Sequence, residues 1–280
     1  MRHCSTLSAG LNKGCGMAAD FESLAVSQSS GIAEVMLSRP ALLNRFDAVG
    51  ESELTAVLRG LAADDEVRVV VLLAQGRAFS AGGDFELMLE ANVDRVVAQA
   101  ALQRARDLLN AILYLPQPLV VGVQGAAIGL GATVPLGSDA VVASRNATIA
   151  DTHVGVALVA GDGGALFWPQ SAGMLRARRY LLTGEPLDAA KAYEFGLVTD
   201  LVDEPGDVAP KAREIAARMA ALAPLAVRGT KAALNQLTRQ RAGEVVETAL
   251  LAEGATLASA DLVEAIAAFR EKRGGSYAGR

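Results

Sequence analysis

Cysteine is nearly absent from the 280 residues: Cys4 and Cys15, both close to the N-terminus, are all there is. A disulfide between them would close only a short loop, so the body of the chain owes nothing to cross-links, which fits a reducing cytoplasm. Histidine is equally scarce, with two residues, and a zinc-type site therefore has no credible ligand set. Positive charge is not in excess either. The formal net charge of -5 argues against nucleic acid or an anionic membrane surface as a partner. The opening segment lacks an apolar run long enough for a signal peptide; residues 1–18 read as a disordered leader, with Met17 a second candidate start. The most apolar window, 119–137, approaches membrane-spanning length but holds Gln124, Pro135 and five glycines. A buried strand and a short helix are expected there, with no membrane insertion. Neither a G-x-S-x-G elbow nor a Walker loop occurs.

What is present is apolar sequence in two periodicities. Hydrophobic residues make up 51% of the chain, enough for a sizeable core. Residues 32–39, 67–74, 117–125 and 139–144 read as strands, and "VRVVVLLA" (67–74) is apolar throughout, as a strand covered on both faces would be. Leu54, Val57, Leu58 and Leu61 give a helical stripe, and helices are expected over 84–91 and 93–113. This alternation indicates an α/β core with mainly parallel strands over residues 19–206. Beyond residue 207 only helical patterns remain, so 207–280 form a C-terminal helical region, too small to bury much alone.

Two loops stand out. "GRAFSAGGDFE" (76–86) follows an apolar strand and precedes a helix start that Asp84 can cap. "VQGAAIGLGAT" (123–133) repeats the plan. Glycine allows close approach and positive φ, and free N–H groups at a helix start can bind an anion or a developing oxyanion. Either loop alone is an ordinary tight turn. Together they could converge on one oxygen, the arrangement needed to stabilise a thioester carbonyl as it gains charge.

"LSRPALLNRFD", "GRAFSAGGDF", "VQGAAIGLGA", "SDAVVASRNATIAD" and "YLLTGEPLDAAKAYEFGLVTDLV" occur in the order and spacing of the enoyl-CoA hydratase/isomerase (crotonase) superfamily, which the chain resembles over residues 22 to 275. The resemblance implies a spiral of ββα units with a C-terminal helical trimerisation region, and a homotrimer or a hexamer of two trimers. It implies an acyl-CoA substrate, with coenzyme A bound as part of the substrate and no separate cofactor. It places two oxyanion donors at the amides of Ala81 and Leu130. Leu42, Asn44, Ala78, Ser80, Gly82 and Asp84 fall on the segments that line CoA, and Lys272 or Arg273 on a helix reaching CoA phosphates from a neighbouring subunit; the alternative there is a solvated helix end.

The family's hydratases hold and activate water with two glutamates, whose positions fall here on Thr133 and His153. Threonine can orient a water but is no base at neutral pH. Histidine is a competent proton shuttle; taken alone His153 would read as a satisfied core histidine, but the positional match implies that it faces the active-site cavity, with a catalytic role open. Asp162 reads first as a helix N-cap, with an acid/base role open, and Asp151 is a weaker candidate. The expected function is an enoyl-CoA hydratase-like enzyme of fatty acid metabolism with altered proton chemistry. Enoyl-CoA isomerisation, acyl-CoA hydrolysis and non-catalytic acyl-CoA binding stay open.

Overall fold

The computed structural model describes residues 21–280; the expected leader, with both cysteines, lies outside them. Strands β1 (Leu24–Ser29) and β2 (Ile32–Leu37) form an antiparallel hairpin. Its two-residue turn, Ser30 and Gly31, has φ of 53° and 77°, the positive-φ pair that suits strand twist. Helix α1 (Ala48–Ala62) follows, then β3 (Val69–Ala74), α2 (Phe85–Val93) and α3 (Arg95–Leu113). The next two turns of the chain share a plan. β4 (Leu119–Val123), β5 (Ala126–Ile128) and α4 (Leu130–Leu136) are succeeded by β6 (Ala140–Ser144), β7 (Thr148–Ala150), a 3-10 turn at His153–Val156 and α5 (Gly164–Ala172). Then come α6 (Met174–Thr183), β8 (Leu187–Asp188), α7 (Ala189–Glu194) and β9 (Asp200–Val202).

The strands form a six-stranded sheet, ordered β1-β2-β3-β4-β6-β9, and a small sheet, ordered β5-β7-β8, with the later turns of the spiral each giving one strand to either sheet. In the large sheet every pairing after β1–β2 is parallel. The all-apolar β3 is explained by its two neighbours. Val70 and Leu72 enter the main core, whereas Val69, Val71 and Leu73 pack against Ala212, Ala216 and Ala220 of α8 (Val208–Ala220).

The remaining helices are α9 (Pro224–Leu257) and α10 (Ala260–Glu271). α9 is pinned by buried Lys231, whose Nζ donates to Gln117 O at 2.8 Å and Asp139 Oδ2 at 2.6 Å, at the entries to β4 and β6. At its far end Leu257 joins Leu262 and Ile266 of α10 in a cluster with Ala91, Phe85 and Met88 of α2. Phe85 and Phe269 meet edge to face at 5.3 Å. The C-terminal helices thus fold back over α2 and roof the region between the two glycine loops. No helix among the described residues is long and apolar enough to cross a membrane.

Candidate active site

The two glycine loops meet. Ser80 N donates to Ala126 O at 3.0 Å and Ile128 N to Ser80 O at 3.1 Å. Gly82, at φ +90°, lies so close that a Cβ there would stand 2.8 Å from Ile128 O. The second loop ends at Gly129, which has φ +54° and caps α4. A Cβ on Gly129 would lie 3.6 Å from His153 Cε1, so the imidazole rests against the start of α4. Glycine is favoured at both points by conformation, and at Gly82 by space as well.

A cavity of about 70 Å³ opens here, lined in part by Gly83, Leu130, His153 and Asp162. It has room for several water molecules. Leu130 is the first residue of α4, and its N–H has no acceptor among the described residues. The expectation for Ala81 is corrected. Its N–H donates to Leu43 O at 3.0 Å, and the residue is exposed rather than part of the cavity wall. The cause is a short parallel pairing between this loop and the segment before α1, in which Phe46 N donates to Gly82 O and Asp84 N to Phe46 O. That pairing turns the Gly83 N–H the other way. It lines the cavity with no acceptor among the described residues.

Beside the loops stands a buried acid–imidazole cluster. His153 Nδ1 is 2.7 Å from Asp151 Oδ1 and its Nε2 is 3.2 Å from Asp162 Oδ2. Thr133 Oγ1, on α4, donates to Asp162 Oδ1 at 3.2 Å. Asp162 is therefore not the N-cap it was expected to be. Gly163, at φ +123°, occupies that position, and the Asp162 side chain serves the cluster. Burial alone would lower the His153 pKa, but the charges of Asp162 and Asp151 outweigh it and hold the value well above 6.5. The ring is an imidazolium at neutral pH with both nitrogens directed at carboxylates, a proton-holding group rather than a free base.

Two further carboxyls face the cavity, Glu51 of α1 and Glu253 of α9. Burial drives the pKa of Glu51 up to about 7 although Arg104 Nε is 3.1 Å away. Burial and the nearby Asp162 charge drive Glu253 up to about 8. Neither was singled out from sequence. The available signal was positional: Glu51 shares the helical face of Leu54 and Leu58, and Glu253 that of Leu250 and Leu257, and a glutamate on a buried face is rare unless it is used.

The other expected ligand contacts divide. Ser80 is buried, with its hydroxyl donating to Asn44 O at 2.8 Å and accepting from Gly82 N. The Asn44 amide donates to Gln75 O and Ala78 O, and its oxygen accepts from Arg39 N. Asn44, Ala78 and Ser80 therefore brace the loops: the side-chain polar atoms of Asn44 and Ser80 and the carbonyl of Ala78 are already used. Gly82 likewise shapes the turn. Asp84 lines the cavity, caps α2 through Glu86 N and pairs with Arg45 at 3.0 Å. Leu42 is exposed. Arg273 is paired with Glu264 and Glu271, while Lys272 has no ion-pair partner among the described residues.

The family model described as Enoyl-CoA hydratase/isomerase matches residues 27–280. The human "Enoyl-CoA hydratase domain-containing protein 2, mitochondrial" is 33% identical, over 89% of this chain and 86% of its own length. The "1,2-epoxyphenylacetyl-CoA isomerase" of Escherichia coli is 29% identical, over 89% of this chain and 96% of its own. Among solved structures, an enoyl-CoA hydratase/isomerase from Mycobacterium paratuberculosis superposes with a TM-score of 0.84 at 32% identity, covering 88% of this chain and 97% of that one.

Proposed function

The chain belongs to the enoyl-CoA hydratase/isomerase family and is a crotonase-type enzyme of acyl-CoA thioesters, and on that premise we propose that its reaction is the shift of an enoyl double bond through a thioester enolate. The observation that carries this reading is the shared cavity of two unpaired N–H groups, Gly83 and Leu130, and one carboxylate, Asp162. The N–H pair would hold the thioester oxygen as charge builds on it, each donor contributing about 2.7–4 kcal/mol to the transition state. Asp162 would remove a proton from the carbon chain, with Thr133 and His153 fixing its two oxygens.

Isomerisation is favoured over hydration by what the residues at the family's two glutamate positions are doing. The Thr133 hydroxyl is directed at Asp162, and both His153 nitrogens face carboxylates. Neither is left to orient a water. Lys272 would meet CoA phosphates from a neighbouring copy, and self-association as a trimer or hexamer is supported by exposed Leu225, Leu234, Leu237 and Leu251 along α9.

Purified protein is tested with 3-enoyl-CoA and 2-enoyl-CoA thioesters of several chain lengths. Interconversion of the two, with little 3-hydroxyacyl-CoA formed, is the expected result. Hydration of the 2-enoyl thioester as the dominant reaction, or release of free CoA, would overturn it.

A further inference from the structure

Glu253 stands on the face of α9 that looks into the cavity, between Leu250 and Leu257, and is only 8% exposed. Its Oε2 is buried with no hydrogen-bond partner among the described residues. Gly161 lies against this stretch of α9: a Cβ there would stand 2.8 Å from Ala249 O and would overlap Glu253 Oε2, so glycine lets the helix, with its carboxyl, approach the chain one residue before Asp162. An unpartnered buried carboxyl destabilises a fold, and an apolar residue would pack this helix face better. A chemical use accounts for its presence.

We propose that Glu253 is a catalytic acid, the second proton carrier of the cavity, paired with Asp162 across the substrate. The assignment rests on the double-bond shift set out above. The groups that face Glu253 are Asp162 from the turn before α5, His153 and Asp151 from the end of β7, and Glu51, itself backed by Arg104. Among them burial comes first, then Asp162, in keeping the Glu253 proton on at neutral pH, against the pull of His153.

The step balances as follows. A C–H bond breaks at one carbon of the allylic system and the proton passes to an oxygen of Asp162. The electron pair moves toward the thioester oxygen, giving a dienolate held by the N–H groups of Gly83 and Leu130. The Glu253 O–H bond then breaks and a C–H bond forms at the other end of the system as the electrons return. The product differs from the substrate only in the position of its double bond. Asp162 and Glu253 then exchange protons with water once the cavity opens.

The test runs the reaction in D₂O with wild-type protein and Glu253→Gln, which keeps shape and removes the acid. Expected are about one deuterium gained per wild-type turnover, a kcat at least about 100-fold lower in Glu253→Gln with KM little changed, and loss of the wild-type fall in kcat above pH 8. Glu253→Asp should recover part of the rate. Wild-type turnover with the original proton carried within the substrate would overturn the assignment, and this measurement needs no variant to fold. Unchanged kcat in Glu253→Gln would overturn it too while leaving the isomerase reading intact. Absence of isomerisation in the wild type would sink both.

Discussion

The imidazole of His153 reaches Asp162 across 3.2 Å, from Nε2 to Oδ2, and so ties the 3-10 turn after β7 to the glycine turn before α5. Its other nitrogen meets Asp151 at 2.7 Å. One cation is thus shared by two buried carboxylates, and its pKa, held above 6.5 by them despite burial, links the arrangement to stability. A raised histidine pKa contributes stability that is fully present below 6.5 and is lost as pH climbs through the folded value. At neutral pH the contribution persists. His153→Gln leaves Asp151 and Asp162 without their cation, and urea unfolding at pH 7 should show a loss of about 3–5 kcal/mol. A loss under 1 kcal/mol would mean that the charge is not shared in this way.

Asp162→Asn retains the Thr133 contact but removes the proposed base. A kcat about 10²–10⁴-fold lower is expected in the isomerase assay, with folding intact by circular dichroism. An unimpaired kcat would place the base elsewhere.

Leu130 allows a test of the amide itself. It is the first residue of α4, a position where proline suits the helix and only removes an unpaired N–H. Leu130→Ala shortens the side chain but keeps the donor. Leu130→Pro is expected to lower kcat about 10²–10³-fold relative to Leu130→Ala. Equal rates in the two variants would show that this N–H does not hold the oxyanion.

Glu51 and Glu253 make the pH dependence of stability unusual. Their folded pKa values, about 7 and about 8, exceed the ordinary 4.5. The folded state therefore binds protons more tightly than the unfolded chain, and stability is expected to fall as pH rises from about 5 to 8. In Glu253→Gln that slope should flatten, with thermal unfolding at pH 8 occurring above the wild-type temperature. Parallel slopes in the two proteins would contradict this.

α9 presents Leu225, Leu234, Leu237 and Leu251 to solvent, and covering such side chains with another copy of the chain would favour association. Sedimentation equilibrium should give a trimer or hexamer, and Leu237→Glu should shift it toward monomer. A wild-type monomer at micromolar concentration would rule out this use of α9.

Much of the site's frame is legible in the sequence because it is local. An all-apolar β3, a Gly-rich turn, an Asp84 cap and the repetition of that plan at residues 123–133 depend on neighbours in the chain, and the α/β alternation follows from the same periodicities. The inward-facing N–H of the first loop was legible only to within two residues. Which N–H faces inward is decided by pairing of the loop with Leu43 and Phe46, a long-range contact with no local signature. The sequence left Asp162 open between a cap and an acid/base for a similar reason, since the residues that claim its side chain, Thr133 and His153, lie on other elements.

That two glycine turns follow two buried strands is written in the chain itself, because strand apolarity and glycine's backbone freedom act residue by residue. Which carboxyls share their cavity is settled by packing between distant elements. Glu51 and Glu253 sit in helical patterns far apart in the chain, and it is the folding of α9 back over α2 that brings Glu253 to Gly161. Burial and mutual charge, which give these groups their chemistry, come into existence only when the elements meet.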